Sequence, residues 1–396
     1  MAAEVPGGTA ELRSSGAMGT GAFRSAWARG TDWALTVKAC ADELGGLPVG
    51  ANLGFLYLTD TFTKDASSIL TFLREKTGIE HWVGTVGLGV LGCGIEFHDR
   101  GALSVMAMKL PAESFRVFSP VIDGTRSGGL SALSAVQDQW LGGQRPGFAV
   151  VHGDPRNVGL PEIIGALADA TAPFLVGGLA ASRIGEFPQI ADRVMDGGVT
   201  GVLFRDDVQV VTGLSQGCSP IGSLHEITQA EGNIIREIDG RPALEVFKED
   251  IGELLARDLR RIVGYIFAGF PMSDSDTGDY LVRNLISLDT QRGWIAVGEP
   301  VEPGRKLLFC RRDHTAAEQD LRRMLGDVKG RGGADARAGL YFSCIGRGQN
   351  LFGSESQEMK IIQDELGDIP ITGFFANGEI SRDRLYGYTG VLTLFR

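Results

Sequence analysis

The sequence predicts an α/β protein of two sub-domains, each made of mixed β-sheets flanked by helices. Three observations carry that prediction. A glycine-led apolar strand, an amphipathic helix, a glycine-rich strand and a further apolar strand follow one another at three places along the chain. In the helical segments the apolar residues recur at i, i+3, i+4 and i+7, which puts them on one face. The chain has 396 residues, 43% hydrophobic and 22% charged, enough for two cores of their own.

Residues 1–29 are mostly small and polar, with no apolar period long enough to bury a face, and read as a flexible arm. The first sub-domain is expected over 30–222. In its first unit Gly54-Phe55-Leu56-Tyr57-Leu58 leads into a helix with Ala66, Ile69, Leu70 and Leu73 on one side, then His81-Trp82-Val83-Gly84 and Ala102 to Leu110. The second unit runs through Gly147-Phe148-Ala149-Val150-Val151, a helix with Leu160, Ile163, Ile164 and Leu167, then Pro173 to Gly178 and Gly201 to Phe204.

The second sub-domain is expected over 223–396, with the boundary near Gly222. Ile227 to Gly240 reads as two strands around a Gly-Asn turn. Pro242 opens a helix whose stripe is Leu244, Phe247, Ile251, Leu255 and Leu259. Strands at Arg283 to Leu288, Trp294 to Val297 and Lys306 to Cys310 come next, then a helix over 315–325. The third unit closes the chain: Gly339 to Ser343, a helix with Met359, Ile362 and Leu366 and a capping box from Ser354 to Gln357, then Pro370 to Phe375 and Gly390 to Phe395. Each unit ends in two successive strands, more like a hairpin than a parallel crossover, which separates the chain from an open Rossmann sheet.

Composition excludes several functions. The 38 Lys and Arg against 49 Asp and Glu give a formal charge of −11, which repels a phosphate backbone, so nucleic acid is no partner. No stretch reaches the roughly 18 apolar residues of a membrane span, and the N-terminus lacks a basic segment followed by an apolar core. Cys40, Cys93, Cys218, Cys310 and Cys344 are scattered, odd in number and never in a CxxC pair. A reducing, cytoplasmic setting is therefore expected. His81, His98, His152, His225 and His314 have none of the close spacings of a zinc site, so no metal is expected.

Gly87-Leu88-Gly89-Val90-Leu91-Gly92 matches the dinucleotide GxGxxG, but Ile95-Glu96-Phe97 and Ala102 to Leu110 beyond it read as strand, so no helix N-terminus would face a pyrophosphate. It reads as a glycine-rich strand in close packing. The polar loop from Ser343 to Gly353 ends a predicted strand, where α/β sites lie. In it Cys344 is a nucleophile or soft ligand only if a base lies near, and otherwise a small buried hydrophobe. Arg347 can hold a carboxylate or phosphate bidentately, or form a salt bridge. Asn377 and Glu379 beside Phe374 and Phe375 either line a pocket or form a structural Asn-Gly turn. His152, at a strand end, is the histidine placed most like a site residue.

These residues carry a resemblance. Phe342 to Gly348, Leu351-Phe352-Gly353 and Gly373 to Ile380 are similar to the closing signature of the FIST family (F-box and intracellular signal transduction proteins). Gln216-Gly217-Cys218-Ser219-Pro220-Ile221-Gly222, the Ile227 to Gly240 hairpin and Pro242 to Val246 resemble its middle. The resemblance implies a sensory module for small ligands and no conventional enzyme, with Cys218, Cys344, Arg347, Asn377 and Glu379 in family-like motifs. It also implies a stand-alone reader whose output passes through a separate signalling protein such as a histidine kinase, or through a homo-oligomer. Some members bind haem and report nitric oxide; near Leu385 to Thr389 many relatives have a histidine where this chain has Tyr386. The expected pocket lies between the sub-domains, by His152, Arg347 and Glu379. A haem-based nitric oxide sensor and a cysteine-dependent enzyme using Cys344 are the alternatives.

Overall fold

Leu53–Thr59, Phe148–Gly153 and Ala338–Cys344 are the lead strands of the three units, and every residue in them is buried in the computed structural model. The structure describes residues 13–14, 18–98, 100–122, 129–172, 174–257, 259–262, 264–272 and 280–396. Residues 1–12 and 15–17 of the expected arm, and Pro173, lie outside them. Each lead strand runs into a helix, Ala66–Thr77, Leu160–Ala170 or Gln357–Leu366. The chain then returns as a strand parallel to the first: His81–Gly87, Leu175–Leu179 or Ile371–Ala376. Ala66, Ile69, Leu70 and Leu73 are buried as the spacing requires, and so are Leu160, Ile163, Ile164 and Leu167. Each leucine or isoleucine among them contributes roughly 1.5–3 kcal/mol of transfer free energy.

The third strand of each unit, Ala102–Met108, Val199–Phe204 or Thr389–Phe395, pairs antiparallel with the other edge of the lead strand. The expected hairpin between second and third strands is thereby corrected: the two flank the lead strand. A central lead strand has both edges hydrogen-bonded and both faces covered, which suits a wholly apolar run.

One residue-level signature is common to the units. Leu56, Val151 and Tyr341 lie opposite Gly84, Gly177 and Gly373. A Cβ at those glycines would stand 1.8, 1.8 and 1.7 Å from the lead-strand carbonyl oxygen, so no other residue fits. The next lead-strand residues, Tyr57, His152 and Phe342, are therefore equivalent, and their rings converge. Ring centroids are 5.5 Å apart for Tyr57 and His152, 6.0 Å for Tyr57 and Phe342, and 6.2 Å for His152 and Phe342.

After each parallel strand the chain crosses to another unit's sheet. Gly89–Gly92 pairs with Ile371–Ala376, Gln189–Ala191 with His81–Gly87, and Glu379–Arg382 with Leu175–Leu179, all antiparallel. The first unit thus gives a strand to the third, the second to the first and the third to the second. This exchange gathers the chain up to Leu214, Arg322–Leu385 and Thr389–Arg396 into one compact unit. The other compact unit is Ser215–Leu321 with Tyr386–Tyr388. The linear boundary expected near Gly222 falls inside the strand Cys218–Glu231, and the third unit sits with the first two.

Two local expectations are also corrected. Phe23–Arg29, placed in the flexible arm, is a strand paired with Ala102–Met108 along its length, burying Phe23, Ser25, Ala26 and Ala28. Small residues there reflect tight packing. At the third helix the residue before the first turn is Ser356, at φ 61°, with no side-chain cap, and Ser356 Oγ instead accepts from the Glu96 N–H at 2.9 Å.

The second compact unit is antiparallel. Its strands run in the order Cys218–Glu231, Lys306–Arg312, Ile266–Pro271, Tyr280–Asp289, Trp294–Val297 and Ile234–Ile238, and the last pairs back with the first, closing the sheet. Leu244, Phe247 and Ile251 of the helix Ala243–Ala256 fill its core with Phe309, Ile295 and Val297. Among the described residues no helix is long and apolar enough to cross a membrane.

Candidate functional site

Four of the sequence-predicted residues, His152, Cys344, Arg347 and Glu379, lie in the first compact unit and are buried. Cys344 ends the lead strand of the third unit and is the register partner of Ala376, which ends the strand parallel to it. The carboxyl ends of parallel strands are where α/β proteins place their sites.

Arg347 is fully buried and paired with Glu358, Nε to Oε1 at 2.7 Å. Burial alone would lower its pKa, but the Glu358 carboxylate and the Tyr341 hydroxyl hold it above the ordinary value, so the guanidinium keeps its charge. The Glu358 carboxylate also accepts from the Tyr341 hydroxyl at 2.6 Å, from Ser343 Oγ at 3.0 and 3.1 Å and from the Gly348 N–H at 2.9 Å. With so many donors the pair is a closed knot that fixes the loop after Cys344. Sequence reasoning missed Glu358. Its signal was a carboxylate beside Met359 on the apolar side of the third helix.

Glu379 is different. It begins the exchanged strand and is fully buried. Its Oε2 accepts from the Thr389 N–H at 3.1 Å and the Thr389 hydroxyl at 2.8 Å. Its Oε1 is buried and meets no hydrogen-bond partner among the described residues. Burial pushes the carboxyl up to about 8, although Thr389, the Arg347 charge and the Cys344 thiol pull the other way.

His152 sits on the same face of the sheet: it lies opposite Gly178, and Gly178 lies opposite Glu379. A Cβ at Gly178 would stand 2.7 Å from the Ala376 Cβ and 3.3 Å from the Phe374 ring, so those side chains fill the gap between the two. His152 Nε2 is 3.2 Å from the Tyr57 hydroxyl, while Nδ1 is buried and has no hydrogen-bond partner among the described residues. Burial lowers its pKa to about 3, so the ring is neutral.

The other two residues stand apart. Asn377 has an exposed side chain; its N–H donates to the Leu179 carbonyl at 3.0 Å, and Gly378 follows at φ 129°. They form the turn that sends the chain to its exchanged position. Cys218 lies in the second compact unit, buried with Phe267, Tyr280, Val282 and Cys310. The hydrogen bond to Cys218 and burial both push the Cys310 thiol up. The glycine motif is a steric one: a Cβ at Gly89 would stand 2.4 Å from the Phe97 carbonyl oxygen, and one at Gly92 2.9 Å from the Trp27 ring.

The haem that the resemblance implies does not fit the histidines. His152 is walled by Tyr57, Phe342 and Phe374, the last with its centroid at 5.9 Å. His81 is bonded to Asp192 at 3.0 Å, His98 to Glu96 at 3.0 Å, and His225 to Asp239 and Asp250 at 2.6 and 2.8 Å. His314, at the surface, lies 3.9 Å from Glu318. Among the described residues no three His, Cys, Asp or Glu side chains converge as a metal site.

The chain is similar to uncharacterized protein Rv0628c of Mycobacterium tuberculosis, 30% identical over 367 residues, which cover 89% of this chain and 92% of the relative. Uncharacterized protein Mb0898c of Mycobacterium bovis is 29% identical over 368 residues, with the same shares covered. Residues 52–241 match the model of the FIST N domain and residues 243–382 that of the FIST C domain. With both halves matched in order, the chain belongs to the FIST family, a sensory family of signal transduction.

Proposed function

We propose that the chain is a small-ligand sensor of a signalling system, and that the ligand is read at Glu379. The observation that carries this is Oε1 of Glu379, a buried carboxyl oxygen with no hydrogen-bond partner among the described residues, on a carboxyl that feels the Arg347 charge and the Cys344 thiol near the carboxyl end of a parallel strand pair. Buried polar atoms are nearly always paired, and an orphan in a native fold asks for a role. With the carboxyl mostly protonated at neutral pH, it can donate as well as accept. Its ligand is then a small polar molecule bearing both kinds of atom. Output passes to a separate signalling protein such as a histidine kinase, or through self-association, in a reducing cytoplasm that suits five free cysteines.

The test is to identify, by mass spectrometry, small molecules that leave the denatured protein after native purification. One such molecule at about one per chain, lost from a folded Glu379→Gln variant, supports the reading. A molecule kept equally by wild type and variant sinks it.

One contact favours a second reading. The Glu379 carboxyl lies beside the Cys344 thiol, and once ionised, as pH rises through about 8, it can act as the base that a cysteine nucleophile requires. Alkylation by iodoacetamide then proceeds faster at Cys344 than at Cys93, and Glu379→Gln removes the difference. Equal slow labelling of both would discard the enzyme.

A further inference from the structure

Between Glu379 and Thr389 the chain leaves the first compact unit for three residues and returns. Two residues of this segment, Arg382 and Tyr388, hold φ of 58° and 62°, left-handed values that bulky side chains rarely adopt. Tyr386–Tyr388 belongs to the second compact unit. There the Tyr388 hydroxyl donates to Asn284 Oδ1 at 2.8 Å, and its ring lies against Phe267 with centroids 4.3 Å apart. The very next residue, Thr389, holds Glu379 Oε2 through both its N–H and its hydroxyl. One peptide bond therefore joins the residue that grips the candidate site to a tyrosine anchored in the other unit.

We propose that Arg382–Thr389 is the output element of the site: a change at Glu379 is passed through Thr389 to Tyr388 and appears as an altered Tyr388–Phe267 contact. The proposal rests on the reading of Glu379 as the sensing residue. A left-handed tyrosine held at both ends stores strain, and loosening one end lets the backbone relax toward the commoner region. Ionisation of Glu379 changes its pull on the two Thr389 donors, so the proton serves as a probe while the ligand is unidentified. The groups near Glu379 are the Cys344 thiol at the end of the lead strand, the Arg347 guanidinium in the loop after it, and Thr389 on the returning strand. Across the sheet Gly178 brings no charge, and His152 beyond it is neutral.

The experiment uses the full chain with 4-fluorophenylalanine at position 267, followed by ¹⁹F NMR from pH 6 to 9.5. In parallel, ¹³C-carboxyl labelling of glutamate follows Glu379, identified as the resonance missing from Glu379→Gln. The expected result is a fluorine shift with the same midpoint as Glu379, near 8. Glu379→Gln abolishes that midpoint, Thr389→Val removes or greatly weakens it, and Thr389→Ser keeps it. Should Thr389→Val not fold, Tyr388→Phe, which loses the Asn284 bond, takes its place and is expected to shrink the shift. A fluorine signal that stays put while Glu379 titrates overturns the coupling and leaves the site intact. A Glu379 carboxyl that titrates in the ordinary range overturns the reading of the site, and the coupling with it.

Discussion

Glu379 and His152 are pulled in opposite directions by the same cause, burial, and together they shape how stability depends on pH. Glu379 rises from 4.5 to about 8 on folding, so its contribution is complete below 4.5 and is lost as pH climbs through 8. His152 falls from 6.5 to about 3, so its contribution is complete above 6.5 and is lost as pH drops through 3. Between pH 4.5 and 6.5 the two slopes cancel, and urea titrations are expected to show a plateau there, with a fall on either side. Each limb spans about 1.5 pH units and is on the order of 2 kcal/mol. Glu379→Gln flattens the alkaline limb and extends the acid one up to about pH 6.5, because nothing then cancels the His152 slope. Arg347→Ala leaves the Glu358 carboxylate buried without its counter-charge and costs about 3–5 kcal/mol, measured by the same titration. At this scale the sequence showed Arg347 and Glu379 in polar turns by strand ends. It did not show which of them was saturated, because Glu358 and Thr389 reach them from other elements. Asn377 could not be told from a pocket residue, since an Asn-Gly turn and a binding loop have the same composition.

Helix faces were legible because a period of 3.6 residues is set by local geometry, and Ala66, Ile69, Leu70 and Leu73 are buried together as their spacing required. Strand pairing was not, because partner choice depends on residues far along the chain. The clue lay in Gly84, Gly177 and Gly373, which match in position once each lead strand is aligned on its neighbour. Alanine at any of them would collide with a lead-strand carbonyl and is expected to cost more than about 4 kcal/mol or abolish folding. Gly165, inside the helix Leu160–Ala170 with nothing within 4 Å of an added Cβ, is the control. Gly165→Ala is expected to raise stability by about 0.5–1 kcal/mol, read as an increase in Tm.

For the molecule as a whole, the cyclic exchange separates sequence halves from folded bodies. The stretch 52–241, matched as one domain, contains Gly89–Gly92 without the Ile371–Ala376 strand it pairs with, and Leu175–Leu179 without Glu379–Arg382. Expressed alone, that stretch is expected to be digested rapidly by trypsin and to give poorly dispersed NMR spectra. Adding residues 322–396 in trans should restore protection at Leu175–Leu179. A protected, cooperatively unfolding fragment would contradict the pairing. The repeated units had indicated a mixed α/β fold flanked by helices, and that fold is present. The order of units along the chain suggested a cut near Gly222, because nothing local marks a strand that leaves for a distant sheet.

The exchange also sets a schedule for synthesis. Leu175–Leu179 emerges from the ribosome about 200 residues before Glu379–Arg382, so its edge stays uncovered for roughly 10–40 s at 5–20 residues per second. During that interval the nascent chain presents an open apolar strand to every other chain nearby, and its yield in the cell should depend on holding chaperones. Slowing translation over the last third would lengthen the exposure and lower the soluble fraction.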